Sequence, residues 1–142
     1  MAVNSEAWRS IVMLAHSLEE ALDRQSRRDG GIPHAYYKLL VFLYEGEHLT
    51  MSQLAAQLRY SSSRLTHAVA SLERSGWARR VRSSDDKRVQ IVELTDAGAD
   101  VVRRVTPGQV AEVREVAFRG MSADDVAALQ RLATAVRENL EG

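Results

Sequence analysis

Apolar residues recur at helical spacing along most of this chain. Trp8, Ile11, Val12, Ala15, Leu18 and Leu22 fall at three- and four-residue steps, which predicts a helix from about Ser5 to Gln25 with one apolar face. The run Arg27-Arg28-Asp29-Gly30-Gly31 breaks the pattern. A second helix starts near Pro33, a residue suited to a first helical turn, turns Tyr36, Leu39, Leu40, Leu43 and Tyr44 inward, and ends at Gly46. Thr50 followed by Gln53 fits a capping box for a third helix that runs to about Arg59 and buries Met51, Leu54, Ala55 and Leu58. Tyr60 and Ser61 make a turn, and Ser61 or Ser62 caps a fourth helix through Leu65, Val69 and Leu72 to Ser75. Gly76 stands where a left-handed residue is wanted after the helix end.

The period then changes. Trp77–Arg82 and Val89–Leu94 are the only two strands the pattern predicts, joined by a charged tip at 83–87. Thr95 caps a long fifth helix carrying Val101, Val102, Val105, Val110, Val113 and Val116, and Asp96 suits its positive end. Pro107 inside that helix predicts a kink or a split. Ser122 with Asp125 opens a sixth helix, striped by Val126, Leu129, Leu132, Val136 and Leu140. The expected class is mainly α: a winged helix-turn-helix with a two-stranded β-wing, flanked by N- and C-terminal helices. Helices one, five and six carry more apolar stripe than one small lobe can cover, so a homodimer is expected.

Length and charge sharpen this picture. A chain of 142 residues fits one domain. Its net charge is zero, but Arg59–Arg88 holds eight basic residues against three acidic ones, while the rest of the chain is acidic by the same margin. A basic patch on one element is the footprint of a polyanionic partner. Seventeen arginines against two lysines also suit phosphate recognition, although a GC-rich coding sequence gives the same bias. Cysteine is absent, which excludes disulfides and thiolate chemistry. Met1–Arg9 shows no export leader and no apolar run reaches bilayer length, so a cytoplasmic location without a membrane partner is expected.

The candidate chemistry lies in the centre. A helix that reads DNA needs short polar groups at its N-terminus, able to reach phosphates and base edges. Ser61, Ser62, Ser63, Arg64, Thr66 and His67 meet that need, with Arg64 able to form a bidentate pair to guanine. In the wing, Arg82, Lys87 and Arg88 can enter an adjacent minor groove. Asp85 and Asp86 would repel DNA if they faced it, and make better sense as partners that hold Arg88 or Arg82.

These residues carry a family resemblance. Met51-Ser52-Gln53-Leu54-Ala55, Ser63-Arg64-Leu65-Thr66, Leu72-Glu73, Gly76-Trp77, Arg80, and the spaced run Asp86, Arg88, Val92, Leu94, Thr95, Gly98 together resemble the MarR family of bacterial transcription regulators. The resemblance spans nearly the whole chain. It implies one domain over 1–142, with a DNA-binding lobe at 33–98 and a helical dimerisation region at 1–29 and 99–142. It implies a recognition helix at Ser61–Ser75, a wing at Arg82–Arg88 and a salt bridge from Asp86 to the wing arginine Arg88. It implies a homodimer that binds a pseudo-palindromic double-stranded operator as a regulator, a repressor released by a small-molecule ligand.

Other constellations are weaker. His16, His34, His48 and His67 show no metal spacing, so no metal or cofactor is expected beyond a small-molecule effector. The acid pairs Glu19/Glu20 and Asp124/Asp125, which helical geometry points apart, and Asp85/Asp86 in the wing tip read as solvated surface or helix-start charge. No catalytic triad order, phosphate loop or dinucleotide fingerprint appears, so no enzyme is expected. Trp8, His16, Tyr36 and Tyr37 offer rings and polar tips for a ligand pocket, or equally core and interface anchors. Two alternatives stay open: a winged helix used for protein–protein contact, and a ligand carrier that does not bind DNA.

Overall fold

The computed structural model describes residues 4–46 and 48–142, so residues 1–3 of the segment Met1–Arg9 lie outside the described set. Among the described residues the order is α1 (Ser5–Gly30), α2 (His34–Gly46), β1 (Leu49–Thr50), α3 (Met51–Leu58), α4 (Ser62–Arg74), β2 (Ala78–Arg82), β3 (Gln90–Leu94), α5 (Asp96–Val113), a π-helical turn (Arg114–Phe118) and α6 (Ala123–Glu141). The caps follow the sequence closely. Thr50 and Gln53 form a reciprocal capping box on α3, as do Ser122 and Asp125 on α6. Of the two candidates for α4, Ser61 is the cap, its Oγ accepting from the Arg64 N–H at 3.2 Å. Gly76 adopts φ 77°, as a left-handed helix terminator should.

The sheet has three strands, not two, in the order β1-β3-β2. β2 and β3 form the expected antiparallel hairpin, with Arg80 opposite Val92. The extra strand pairs Leu49 with Val92 and Thr50 with Ile91. Two residues are too short to leave an alternating signature, and this strand exists only because β3 offers it a free edge.

Three further expectations are corrected. The first helix does not end near Gln25. It continues to Gly30, and Gly31 (φ 63°) closes it by returning its N–H to Arg27 and Ser26. Gly30 lies directly against Val105 of α5, so the residue read as a breaker is the one that lets two helices touch. In α2 the inward set is Tyr37, Leu39, Leu40 and Leu43; Tyr36 is half-buried, and Tyr44 is exposed beneath the Arg103 guanidinium. Finally, Pro107 does not split α5, whose helical residues continue through it to Val113. Thr106 steadies that turn by donating to the Val102 carbonyl at 2.7 Å, and the irregular winding falls later, in the π-helical turn.

The core joins α2, α3, α4, the sheet and the first half of α5 around Leu40, Leu54, Leu65, Val69, Leu72, Val92, Val101 and Val105. A polar seam ties α1, α2 and α5 together at its edge. His34 is buried and its Nδ1 lies 2.8 Å from Glu19. A carboxylate only accepts, so Nδ1 carries the proton, and in the neutral ring Nε2 accepts from the Gln109 amide at 3.2 Å. Glu19 is therefore a tether between helices rather than mere solvated charge. Burial acts to raise its carboxyl pKa, but the hydrogen bond from His34 and the charge of nearby Lys38 outweigh this and hold it below the usual range. Asp23 accepts from the His34 backbone N–H at 2.9 Å, so α1 supplies the cap for the start of α2.

Candidate nucleic-acid interface

The α4 side chains divide cleanly by face. Leu65, Ala68, Val69 and Leu72 are buried. Ser61, Ser62, Ser63, Arg64, Thr66 and His67 are all exposed, on one surface at the start of the helix. The buried residues clamp the helix to α3 and the sheet, which leaves the polar end free to meet a partner. Thr66 spends its hydroxyl proton on the Ser62 carbonyl at 2.8 Å and keeps its methyl and oxygen outward. The Arg64 guanidinium lies 3.9 Å from the centroid of the Tyr60 ring.

The wing meets the beginning of α3 across a groove of about 620 Å³, which Thr50, Met51, Ser52 and Gln90 line together with Arg82, Lys87 and Arg88. All three cations singled out from the sequence thus border one hollow. Asp86 holds Arg88 in two ways. It accepts from the backbone N–H at 3.0 Å, and both carboxylate oxygens face the guanidinium at 3.3 and 3.4 Å. The backbone bond first, and then the guanidinium, keep the Asp86 carboxyl below the usual carboxylate range. Asp85 has no such role; its N–H merely donates to Ser83.

The basic segment is less uniformly positive than its sequence suggests. Arg79 pairs with Glu93 at 2.9 Å, Arg80 with Glu73 at 2.8 Å and Arg59 with Glu141 at 3.0 Å. Among the described residues, the cations left without a carboxylate partner include Arg64 at the start of α4 and Arg82 and Lys87 in the wing. Sequence reasoning passed over Ser52, Gln90 and Tyr60. Ser52 and Gln90 also line a small hollow between α3 and α4 that reaches Ser62 and Thr66. Only Tyr60 left a trace, standing four residues before Arg64.

The four candidate ligand residues are not brought together. Trp8 is 59% exposed on the outer half of α1. His16 faces Glu20 on the surface. Tyr37 is buried, and because the single Thr106 hydroxyl proton goes to Val102, it is the Tyr37 hydroxyl that donates to Thr106 at 2.7 Å. Tyr36 borders a separate hollow of about 390 Å³ beside Tyr60 and His67. The physical reason is plain: consecutive helical residues project about 100° apart, so Tyr36 and Tyr37 face different surroundings.

A capped helix with a free polar end, a turn, a supporting helix and a cationic hairpin define a winged helix-turn-helix. The comparisons place it further. The MarR family model matches residues 30–89. Sco3205 from Streptomyces coelicolor, a MarR family transcriptional regulator solved in complex with DNA, is 42% identical over 98% of this chain and 94% of its own, with a TM-score of 0.89. AbsC, a MarR family regulator from the same organism, is 29% identical over 100% of this chain and 98% of its own, again with a TM-score of 0.89. The HTH-type transcriptional regulator PrsX of Escherichia coli is 28% identical over 88 residues, covering 61% of this chain and 53% of that protein. The chain spans about half the length of such curated relatives. It belongs to the MarR family of transcriptional regulators. No helix among the described residues is long and apolar enough to cross a membrane.

Proposed function

We propose that this protein is a cytoplasmic, homodimeric regulator of transcription that binds double-stranded DNA sequence-specifically and performs no catalysis. The observation that carries the reading is that Ser52 and Gln90, which line the Arg82–Lys87–Arg88 groove, also line the hollow that reaches Ser62 and Thr66 at the exposed start of α4. In this reading Ser61, Ser62, Ser63, Arg64, Thr66 and His67 enter a major groove. Arg82, Lys87 and Arg88 hold the neighbouring backbone or minor groove, and Asp86 fixes Arg88. Residues 33–98 act as the DNA-binding lobe and 1–29 with 99–142 as the dimerisation region. Repression, and release by a small-molecule effector, belong to the same proposal and rest on family membership alone.

The dimer has its own support. α6 spans 19 residues and buries none of them in its own protomer. Trp8, Ile11, Val12, Met13 and Leu14 of α1 are exposed as well, with Val110 and Phe118 near the end of α5. An apolar surface of that extent is covered by association, and a second copy brings a matching face.

Fluorescence anisotropy with the gene's own upstream duplex and a scrambled duplex, at two salt concentrations, tests the reading. Tight, salt-steep binding that prefers the upstream duplex is expected. Salt-insensitive or undetectable binding to both would replace it with the protein-contact alternative.

A further inference from the structure

Tyr60 sits in the turn between α3 and α4. Arg59 closes α3 in the left-handed region at φ 56°, and the Tyr60 N–H returns to the Ala55 carbonyl at 3.0 Å. The chain reverses there, Ser61 caps α4, and the half-buried Tyr60 ring comes to rest against the edge of the core. Arg64 follows one helical turn later and lays its guanidinium over that ring, 3.9 Å from the centroid. Its recorded hydrogen bond is through the backbone N–H to Ser61, so among the described residues the N–H edge of the guanidinium is unengaged.

Stacking and base reading use different parts of a guanidinium. The ring attracts its flat face, whereas a bidentate pair to guanine uses its N–H edge. One group can do both at once. An unsupported arginine on a helix surface samples many rotamers, most of which aim the fork away from a base. A ring held by the turn removes much of that search and sets the plane in which the fork approaches DNA.

We propose that Tyr60 is a positioning residue for DNA reading: its ring fixes the Arg64 guanidinium so that the N–H edge meets a pair of base acceptors in the major groove. This rests on the DNA-binding reading above. Tyr60 touches no base in this scheme and acts through Arg64.

The test begins with a duplex that the full-length protein itself selects from a random-sequence pool. Each base pair of one half-site is then changed in turn, and affinity is read by anisotropy across a salt series. Tyr60→Leu is expected to lower discrimination at the position read by Arg64 by about three- to five-fold, with the salt slope unchanged. Tyr60→Phe, which keeps the ring face, should retain it. In an Arg64→Ala background, Tyr60→Leu should change discrimination no further, because the two residues act as one unit. If Tyr60→Leu does not fold, Tyr60→Met carries the same comparison.

Equal loss on every duplex would overturn the inference, as would an undiminished effect of Tyr60→Leu without Arg64, since either marks plain packing. If the wild-type protein discriminates and Tyr60→Leu discriminates as well, only the role of Tyr60 falls. If the wild-type protein selects no duplex, the DNA-binding reading falls and takes this inference with it.

Discussion

At the scale of residues, Arg64 and Arg88 are built for different tasks, and the difference is measurable. Arg64 stands on the capped start of α4 with its fork unengaged, so Arg64→Ala should cut discrimination between preferred and altered duplexes by about 1–3 kcal/mol. Arg88 projects from the wing with its side chain 91% exposed. Arg88→Ala should weaken binding to all duplexes alike and lower the salt slope by about one unit; an unchanged slope would remove Arg88 from the phosphate contacts. Asp86 supplies a separate check by pH. Its carboxyl is held low in the folded protein, so its bonds to Arg88 are fully present above the ordinary aspartate value of about 3.9 and are lost only as pH falls through the lower folded value. An NMR titration should place Asp86 below that ordinary value, and Arg88→Ala should move it upward toward it.

Between elements, one tight joint is where the wing hands the chain to α5. Thr95 caps α5 through Gly98, with its Oγ 3.1 Å from the Gly98 N–H, and donates its own hydroxyl to the Gly76 carbonyl at 2.6 Å. Gly98 lies so close to the Trp77 carbonyl oxygen that a Cβ there would overlap backbone rather than a movable side chain. Gly98→Ala should therefore destabilise the fold by about 1–3 kcal/mol despite its better helix propensity, read as a lower urea midpoint. A gain in midpoint would show that the joint is looser than its geometry. Thr95→Ala should cost about 1 kcal/mol or more, since it removes the cap and the bond to Gly76 together.

For the whole molecule, the question is what covers α6. If a second copy covers it, a charge in its apolar stripe must be either buried unpaired or left in water with the stripe exposed. Leu132→Asp should convert the dimer to monomer in sedimentation equilibrium while leaving the winged helix folded. DNA affinity should then fall steeply, because two half-sites about one helical turn, roughly 10 bp, apart must be held by linked lobes. A Leu132→Asp protein that sediments and binds as the wild type does would separate this stripe from the dimer.

How much was legible beforehand follows from how local each signal is. Capping boxes at Thr50 and Ser122, the turn at Gly76 and the inward set Leu65, Val69 and Leu72 depend on neighbours three or four residues away, and the sequence alone determined them. It also determined the hairpin and the exposed polar start of α4, but left Arg82 and Arg88 both open as partners for the wing acids until the fold set Asp86 against Arg88. The remaining features involve partners far along the chain. β1 exists because β3 offers an edge. Gly30 continues a helix because Val105 leaves it just enough room. Glu19 becomes a tether because His34, itself bonded to Gln109 through its other nitrogen, reaches it, and Tyr37 loses its free hydroxyl to Thr106. Arg79 and Arg80 belong to the basic segment by count but spend their charge on Glu93 and Glu73. Periodicity records which face of an element is apolar, whereas the identity of a distant partner depends on how the elements pack, which no local spacing encodes.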